Sequence, residues 1–144
     1  MNKRVVEEQI QLDQNTSGIT AANGTAAVLS DIYVYVCPDR SQLVLNPNDF
    51  IALYLKDAGA EAAATDRCRV VLTDPLGRRE RVIAEGQYTM FKEFTDVTKK
   101  KFFGQRVVVP ANFRLKIQVV ATTVLVVSTC YFNLSCTNVY ETLE

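Results

Sequence analysis

The pattern that decides the fold reads Val107-Val108-Val109-Pro110-Ala111-Asn112-Phe113, and it has an earlier counterpart in Leu43-Val44-Leu45-Asn46-Pro47-Asn48-Asp49-Phe50. In both segments an apolar run leads into Pro-x-Asx-Phe and then into another apolar strand pattern. Proline lacks the amide donor that a β-ladder needs and fixes its own φ, while the following Asn or Asp supports a turn. The repeated pattern therefore predicts that each proline ends one strand and directs the next.

Turn signals and alternation elsewhere also predict strands. Apolar and polar residues alternate from Phe113 to Val119, which places one face of that strand in a core and the other in water. The segment Asp74-Pro75-Leu76-Gly77 has Asp, Pro and Gly where a type I turn favours them, and it predicts a hairpin between strands at 67–73 and 79–84. Six or more such strands without a sustained amphipathic helix predict an all-β fold, an antiparallel β-sandwich or a small barrel.

The first residues of the chain differ from the rest. Residues 5–12 fit a first strand or an arm, and the small polar stretches 15–18 and 21–25 are turn-prone. We therefore predict an extended N-terminal arm at 1–24 and a single β-sandwich domain at 25–144. A chain of 144 residues can bury roughly two-thirds of its unfolded surface, so the core needs no disulfide or metal.

Charge and composition narrow the partners. Sixteen basic and sixteen acidic residues cancel, which removes the broad positive field of a non-specific nucleic-acid binder, and no direct nucleic-acid binding is expected. A net charge near zero also gives little protection against self-association. The first nine residues are too acidic and too poor in apolar residues for a secretion signal, which predicts assembly in a host cytoplasm.

The uncharged stretch Ile117 to Tyr140 is long enough to span a bilayer. Its apolar residues are mostly Val, and Thr, Ser and Asn interrupt it, whereas a spanning helix is normally rich in Leu. It predicts two sheet strands with a turn near Ala121 to Thr123, and no membrane partner.

The four cysteines and the missing histidine restrict the chemistry. No Cys-x-x-Cys pair occurs, so the usual zinc spacings are absent, and the cysteines are expected to be free, buried thiols without a metal or cofactor. Without histidine, Ser-His-Asp and Cys-His catalysis is impossible within the chain. A pair of carboxylates among Glu85, Glu93 and Asp96 stays chemically possible, but no spacing sets two of them across a cleft. We predict no catalytic residue and no enzyme.

Three segments are candidates for contacts with partners. Lysines precede two phenylalanines at 99–103, which suggests aromatic anchors beside charges that would meet an acidic partner. The candidate partner-contact residues, there and in the arm, are Val5, Val6, Ile10, Leu12, Lys99, Lys100, Lys101, Phe102 and Phe103. The run Val124, Leu125, Val126 and Val127 lacks polar alternation, so both faces of the predicted strand would be covered, and these four are candidate oligomer contacts.

The junction from Val107 to Ile117, with its earlier partner around Pro47, resembles the strand junctions of small viral jelly-roll proteins, particularly the decoration or cement proteins of tailed bacteriophage capsids. The size of the chain and the predicted arm are similar as well, and the resemblance covers roughly residues 26–140. It implies a jelly-roll-like sandwich that forms homotrimers on the capsid exterior and clamps neighbouring subunits of the major capsid protein.

Three hypotheses follow. The first is a non-enzymatic virion structural protein, a capsid decoration protein that stabilises a shell. The second is a carbohydrate-binding or adhesive sandwich, which would need an exposed row of tyrosines drawn from Tyr33, Tyr35, Tyr54 and Tyr88. The third is a single jelly-roll capsid shell protein, for which a basic arm facing nucleic acid would be expected. In the predicted arm, acidic residues balance Lys3 and Arg4.

Overall fold

Strands dominate the chain in a computed structural model, which describes residues 3–92 and 100–143. Two antiparallel sheets face each other, as the sequence predicts. The strands are β1 (Lys3–Asp13), β2 (Ile19–Ala21), β3 (Ser30–Val36), β4 (Ser41–Leu45), β5 (Phe50–Tyr54), β6 (Arg67–Thr73), β7 (Glu80–Gln87), β8 (Lys101–Phe102), β9 (Val107–Val109), β10 (Arg114–Val120) and β11 (Tyr131–Leu143). Short 3₁₀ helices lie at Tyr88–Met90 and Val127–Thr129.

The first sheet is organised around β11. Strand β1 pairs along one edge of β11 from Lys3↔Leu143 to Asp13↔Asn133. On its other edge β11 pairs with β5 and then with β4. Strand β8 continues the sheet beyond β5, and β9 continues it beyond β4. The sheet is therefore four strands wide. Two of the four positions are each occupied by two short strands, one by β4 and β5 and the other by β8 and β9.

The interruption between β4 and β5 is the first proline junction. Strands β4 and β5 pair with the same edge of β11, and residues 46–49 between them form a loop that leaves the ladder. The Asp49 carboxylate accepts hydrogen bonds from the Asn46 amide at 2.8 Å and from the Ser135 hydroxyl at 2.9 Å. A turn beside Pro47 is thus confirmed, and Asp49 closes it through its side chain.

The second proline junction changes sheets. Strand β9 belongs to the first sheet and β10 to the second, so the chain crosses the sandwich at Pro110. Asn112 adopts a left-handed conformation with φ 70°, and its side-chain amide donates to Asp39 at 2.8 Å. Asparagine tolerates this backbone region better than most residues. The same sequence pattern therefore keeps the chain in one sheet at Pro47 and moves it to the other sheet at Pro110.

The second sheet has the order β2-β3-β10-β6-β7. Its β6–β7 hairpin confirms the turn predicted at 74–77: Gly77 has φ 70°, and its amide donates to the Asp74 carbonyl at 3.0 Å. Leu115, Ile117 and Val119 of β10 are buried as predicted, but Gln118, which the alternation places on the wet face, is buried as well, and its side chain bonds to Arg69 and Asp31. The core lies between the two sheets, where the Tyr33 and Phe132 rings approach to 4.7 Å.

Residues predicted as an arm take part in both sheets. Strand β1 is held by a ladder along its full length, and β2 pairs with β3 at Ile19↔Tyr35. Leu12 is the one fully buried residue of β1, and most of the other side chains of this strand are exposed. An arm that detaches from the body stays a prediction.

The prediction of a strand over Val124 to Val127 is wrong. These residues lie in the connection between β10 and β11 and end in a 3₁₀ turn. Because β10 belongs to the second sheet and β11 to the first, the chain needs this stretch to cross the sandwich, which overrides the strand preference of valine. The two strands predicted between Ile117 and Tyr140 are present, but the whole stretch 121–130 separates them, rather than a tight turn near 121–123.

Two buried tyrosine hydroxyls differ in their bonding. The Tyr88 hydroxyl accepts a hydrogen bond from the buried Leu55 amide at 3.1 Å, which connects the end of the second sheet's β7 to the first sheet beyond β5. The Tyr33 hydroxyl is buried without a hydrogen-bond partner among the described residues. The same chemical group thus satisfies a backbone donor at one position and is itself unsatisfied at the other.

This difference predicts opposite responses to one substitution. Tyr88→Phe leaves the Leu55 amide buried and unpaired, and we expect the free energy of unfolding to fall by about 1–3 kcal/mol. Tyr33→Phe removes a polar atom that has already lost its hydration, so stability should stay unchanged or rise. Urea unfolding of both variants checks this, and an equal loss in both would contradict it.

The four cysteines are free and buried, which confirms the prediction of small buried thiols. Burial, with Asp66 as a lesser cause, raises the pKa of the Cys68 thiol to about 12. Burial, with Asp49 and Cys37 as lesser causes, raises the pKa of Cys136 to about 12 as well. Burial also raises the pKa values of Cys37 and Cys130.

Thiol reactivity should follow from these shifts. Because each pKa is raised, the thiols of the folded chain are protonated at pH 8, and burial blocks reagent access as well. We expect them to react with a chromogenic disulfide at least roughly a hundredfold more slowly than in the unfolded chain. Absorbance with and without denaturant measures this, and one fast thiol in the folded protein would show that a cysteine is accessible.

Candidate contact surfaces

The segment Lys100 to Phe103 splits between surface and core. Pairing of β8 with β5 sets Phe102 opposite Phe50, and their rings meet edge to face at 6.3 Å. The Lys100 ammonium lies 4.3 Å from the centre of the Phe50 ring, a cation–π distance. Phe102 is half exposed, while the next residue, Phe103, points into the core. Lys99 lies outside the described residues.

The sequence prediction missed Phe50 as part of this surface. Its contacts with Phe102 and Lys100 join segments about fifty residues apart, so no local pattern shows them. The only available signal is alternation in β5, where Ile51 and Leu53 face the core and Phe50 therefore faces outwards. The candidate contact surface is thus the Phe50–Phe102 pair with Lys100 above the Phe50 ring, rather than two adjacent phenylalanines.

The apolar residues named in the predicted arm also divide by burial. Val5 is 62% exposed, Val6 and Ile10 are half-buried, and Leu12 is fully buried. Ile10 and Leu12 lie opposite the core residues Cys136 and Leu134, which explains their burial. A contact made without opening the sandwich would therefore involve the beginning of β1 and exclude Leu12.

The connection over Val124 to Val127 exposes one side chain and buries another. Val124 is 51% exposed, whereas Leu125 is completely buried. The Val126 amide donates to the Lys56 carbonyl at 3.1 Å. These contacts anchor the loop to the body, and Val124 is the member of the run best placed to meet another molecule.

The tyrosines named for sugar binding are mostly core residues. Tyr33, Tyr35 and Tyr88 are buried, which leaves Tyr54. The Tyr54 ring stacks on Tyr131 at 4.8 Å with an interplanar angle of 13°. The exposed tyrosine row expected of an adhesive sandwich is therefore reduced to one stacked pair.

The chemical groups present do not assemble into a reactive cluster in the part of the chain that the structure describes. No three His, Cys, Asp or Glu side chains there converge as a metal site would require. Glu85 lies on the edge strand β7 opposite Arg69, and Glu93 and Asp96 lie outside the described residues. Within 3–92 and 100–143, no helix is long and apolar enough to cross a membrane.

A surface groove of about 410 Å³ lies where β1, β4 and β11 meet the second proline junction. Its lining consists of Val5, Arg40, Ser41, Gln42, Pro110, Ala111, Val139, Tyr140 and Glu141. The charged groups in this lining, Arg40 and Glu141, have opposite signs. The groove is shallow and mixed in character, and it presents no concentrated charge to a ligand.

Solved structures resemble this chain, although no protein-family model and no curated sequence matches it. VP17, a capsid protein of bacteriophage P23-77, superposes with a TM-score of 0.69 and 8% identity over 99% of this chain and 100% of that one. A chain of the VP16–VP17 complex, formed by the two major capsid proteins of the same phage, superposes with a TM-score of 0.66 and 8% identity over 92% and 98%. The chain therefore has the jelly-roll sandwich fold of these capsid proteins.

Proposed function

We propose that the chain is a non-enzymatic virion structural protein, and specifically a single jelly-roll subunit of a capsid shell. The observation that carries the proposal is the extent of the match to VP17, which covers 99% of this chain and 100% of that capsid protein. The match therefore spans nearly the whole of both compared chains. Jelly-roll sandwiches occur in viral capsids but also in lectins and cupins, so the fold alone does not decide the role.

The chemistry of the described residues is consistent with assembly rather than catalysis. The cysteines are buried, and acidic side chains do not gather into a cluster that could hold a metal within the described ranges. Lys3 and Arg4, which open the predicted arm, lie in β1, and Lys3 approaches Glu141 at 3.9 Å. We therefore propose contacts with other capsid subunits and none with nucleic acid.

A capsid decoration protein is the second candidate. The resemblance of the two proline junctions to decoration proteins favours it, and it implies a homotrimer on the capsid exterior that binds the major capsid protein. The two candidates share a fold but differ in mechanical role: a shell subunit holds the particle together, whereas a decoration protein is added to a shell that exists without it.

That mechanical difference gives the test. Particles that contain the chain are isolated on a density gradient and exposed to rising urea, and release of the chain into the supernatant is measured beside particle integrity in electron micrographs. For a shell subunit, we expect release and loss of particles at the same urea concentration. Release that leaves intact shells would support decoration instead. Absence of the chain from every particle fraction would contradict both roles.

We also propose that the Phe50, Phe102 and Lys100 surface contacts a neighbouring capsid subunit. Phe102→Ser removes an aromatic anchor that is half exposed, and we expect at least about a fivefold lower incorporation into particles. Leu76→Ser at the β6–β7 turn is the matched control, because Leu76 is 72% exposed and equally apolar. Quantitative mass spectrometry of purified particles measures both. Equal incorporation of the two variants would argue against this contact.

A further inference from the structure

Strand β1 leaves one long edge of the first sheet without a neighbour. Its eleven residues pair with β11 on one side, without a register shift, and no other strand pairs with β1 among the described residues. Such an edge presents a row of backbone donors and acceptors to which another strand can add. Proteins protect edges with proline, bulges, short strands or charged side chains, and of these devices β1 carries only charges.

The charges of this edge are arranged in order along the strand. The basic residues Lys3 and Arg4 come first, and Glu7 and Glu8 follow, all of them exposed. Among the described residues Arg4 forms no ion pair within its own chain, while the Glu8 carboxylate accepts one long hydrogen bond from the Tyr140 hydroxyl at 3.5 Å. An exposed cation and an exposed carboxylate are therefore both available to a partner.

We propose that β1 pairs antiparallel with β1 of a second copy of this chain, with Val6 opposite Val6 of the partner subunit on a two-fold axis. Two-fold symmetry then places Arg4 opposite the partner's Glu8 and, at the other end, Glu8 opposite the partner's Arg4. Directly opposed residues of an antiparallel pair have Cβ atoms about 4.5–5.5 Å apart, which is close enough for both ion pairs.

The charge order disfavours most of the competing registers. Registers centred on Glu7 or Glu8 bring identical carboxylates together on the axis, and parallel in-register pairing would place every charge beside its own copy. A register centred on Val5 would also form two ion pairs, between Lys3 and Glu7, but Lys3 already lies 3.9 Å from Glu141 of its own chain, whereas Arg4 has no ion pair among the described residues. Registers centred nearer to Asp13 bring no basic residue into the ladder.

Pairing in this register joins the first sheets of the two copies into one continuous sheet, eight strands wide. The ladder includes residues 3–9 of each copy, which is a small contact compared with the roughly 800 Å² per partner of standard interfaces. We therefore expect a dimer whose population rises with protein concentration. The inference depends on the edge of β1 and not on the capsid role.

An exchange of charges tests the register. Sedimentation velocity over a rising concentration series should show dimers for the wild type. Arg4→Glu or Glu8→Arg alone replaces two attractive pairs with two repulsive ones, and we expect dimerisation about tenfold weaker. The double variant Arg4→Glu/Glu8→Arg restores opposite charges and should dimerise like the wild type. Arg78→Glu, the same charge change at the distant β6–β7 turn, should have no effect.

Cross-linking tests the same register independently of charge. Val6→Cys places one thiol on each side of the axis, and mild oxidation should join two copies, whereas Gln11→Cys lies too far from its own copy to react. The four native cysteines are buried and do not compete. Circular dichroism confirms that each variant is folded.

Three results would overturn the inference: a wild type that stays monomeric at every concentration, single charge variants that dimerise as tightly as the wild type, or Gln11→Cys cross-linking as fast as Val6→Cys. A monomeric wild type would leave the particle experiment above unaffected, so the two proposals can fail separately.

Discussion

The hydrogen-bonded ladders on the two sides of β11 are the constraint on which the first sheet depends. Strand β11 follows the ten other described strands in sequence, yet it lies inside the first sheet, with β1 on one side and β4 and β5 on the other. Strands β8 and β9 reach β11 only through β5 and β4. The first sheet therefore cannot be completed without β11, and the contacts of β11 join residues far apart in sequence. Such non-local pairing is typical of slowly folding β-proteins.

The two proline junctions show how tertiary partners decide the outcome of a local signal. At Pro47 the Asp49 carboxylate accepts a hydrogen bond from Ser135 of β11, and after the turn the ladder of β5 with β11 keeps the chain on the same side of β11. At Pro110 the left-handed Asn112 and its bond to Asp39 redirect the chain to the second sheet. Proline ends a strand in both places because it lacks an amide donor. Where the next strand goes depends on partners that the pattern itself does not contain.

This distinction also explains what could be predicted from the sequence. The all-β class and the 74–77 hairpin rest on alternation and on turn residues close together in the chain, and both are confirmed. The strand predicted over Val124 to Val127 failed because the crossing between sheets, a global requirement, overrides local preference. The surface at Phe50 was missed because its neighbours Lys100 and Phe102 are distant in sequence. Turns and strand alternation can be predicted from a single sequence, whereas pairings between distant segments cannot.

Charges on an edge strand usually prevent pairing, and the charges of β1 allow a more specific interpretation. A strand with one sign of charge repels every copy of itself in every register. In β1 the basic pair precedes the acidic pair, so repulsion remains in most registers but becomes attraction in an antiparallel one. A neutral chain lacks net repulsion between copies, so in the proposed dimer the order of charges, rather than their sum, would restrict how two β1 strands meet. The same residues that protect this edge from indiscriminate aggregation would then specify one contact between copies.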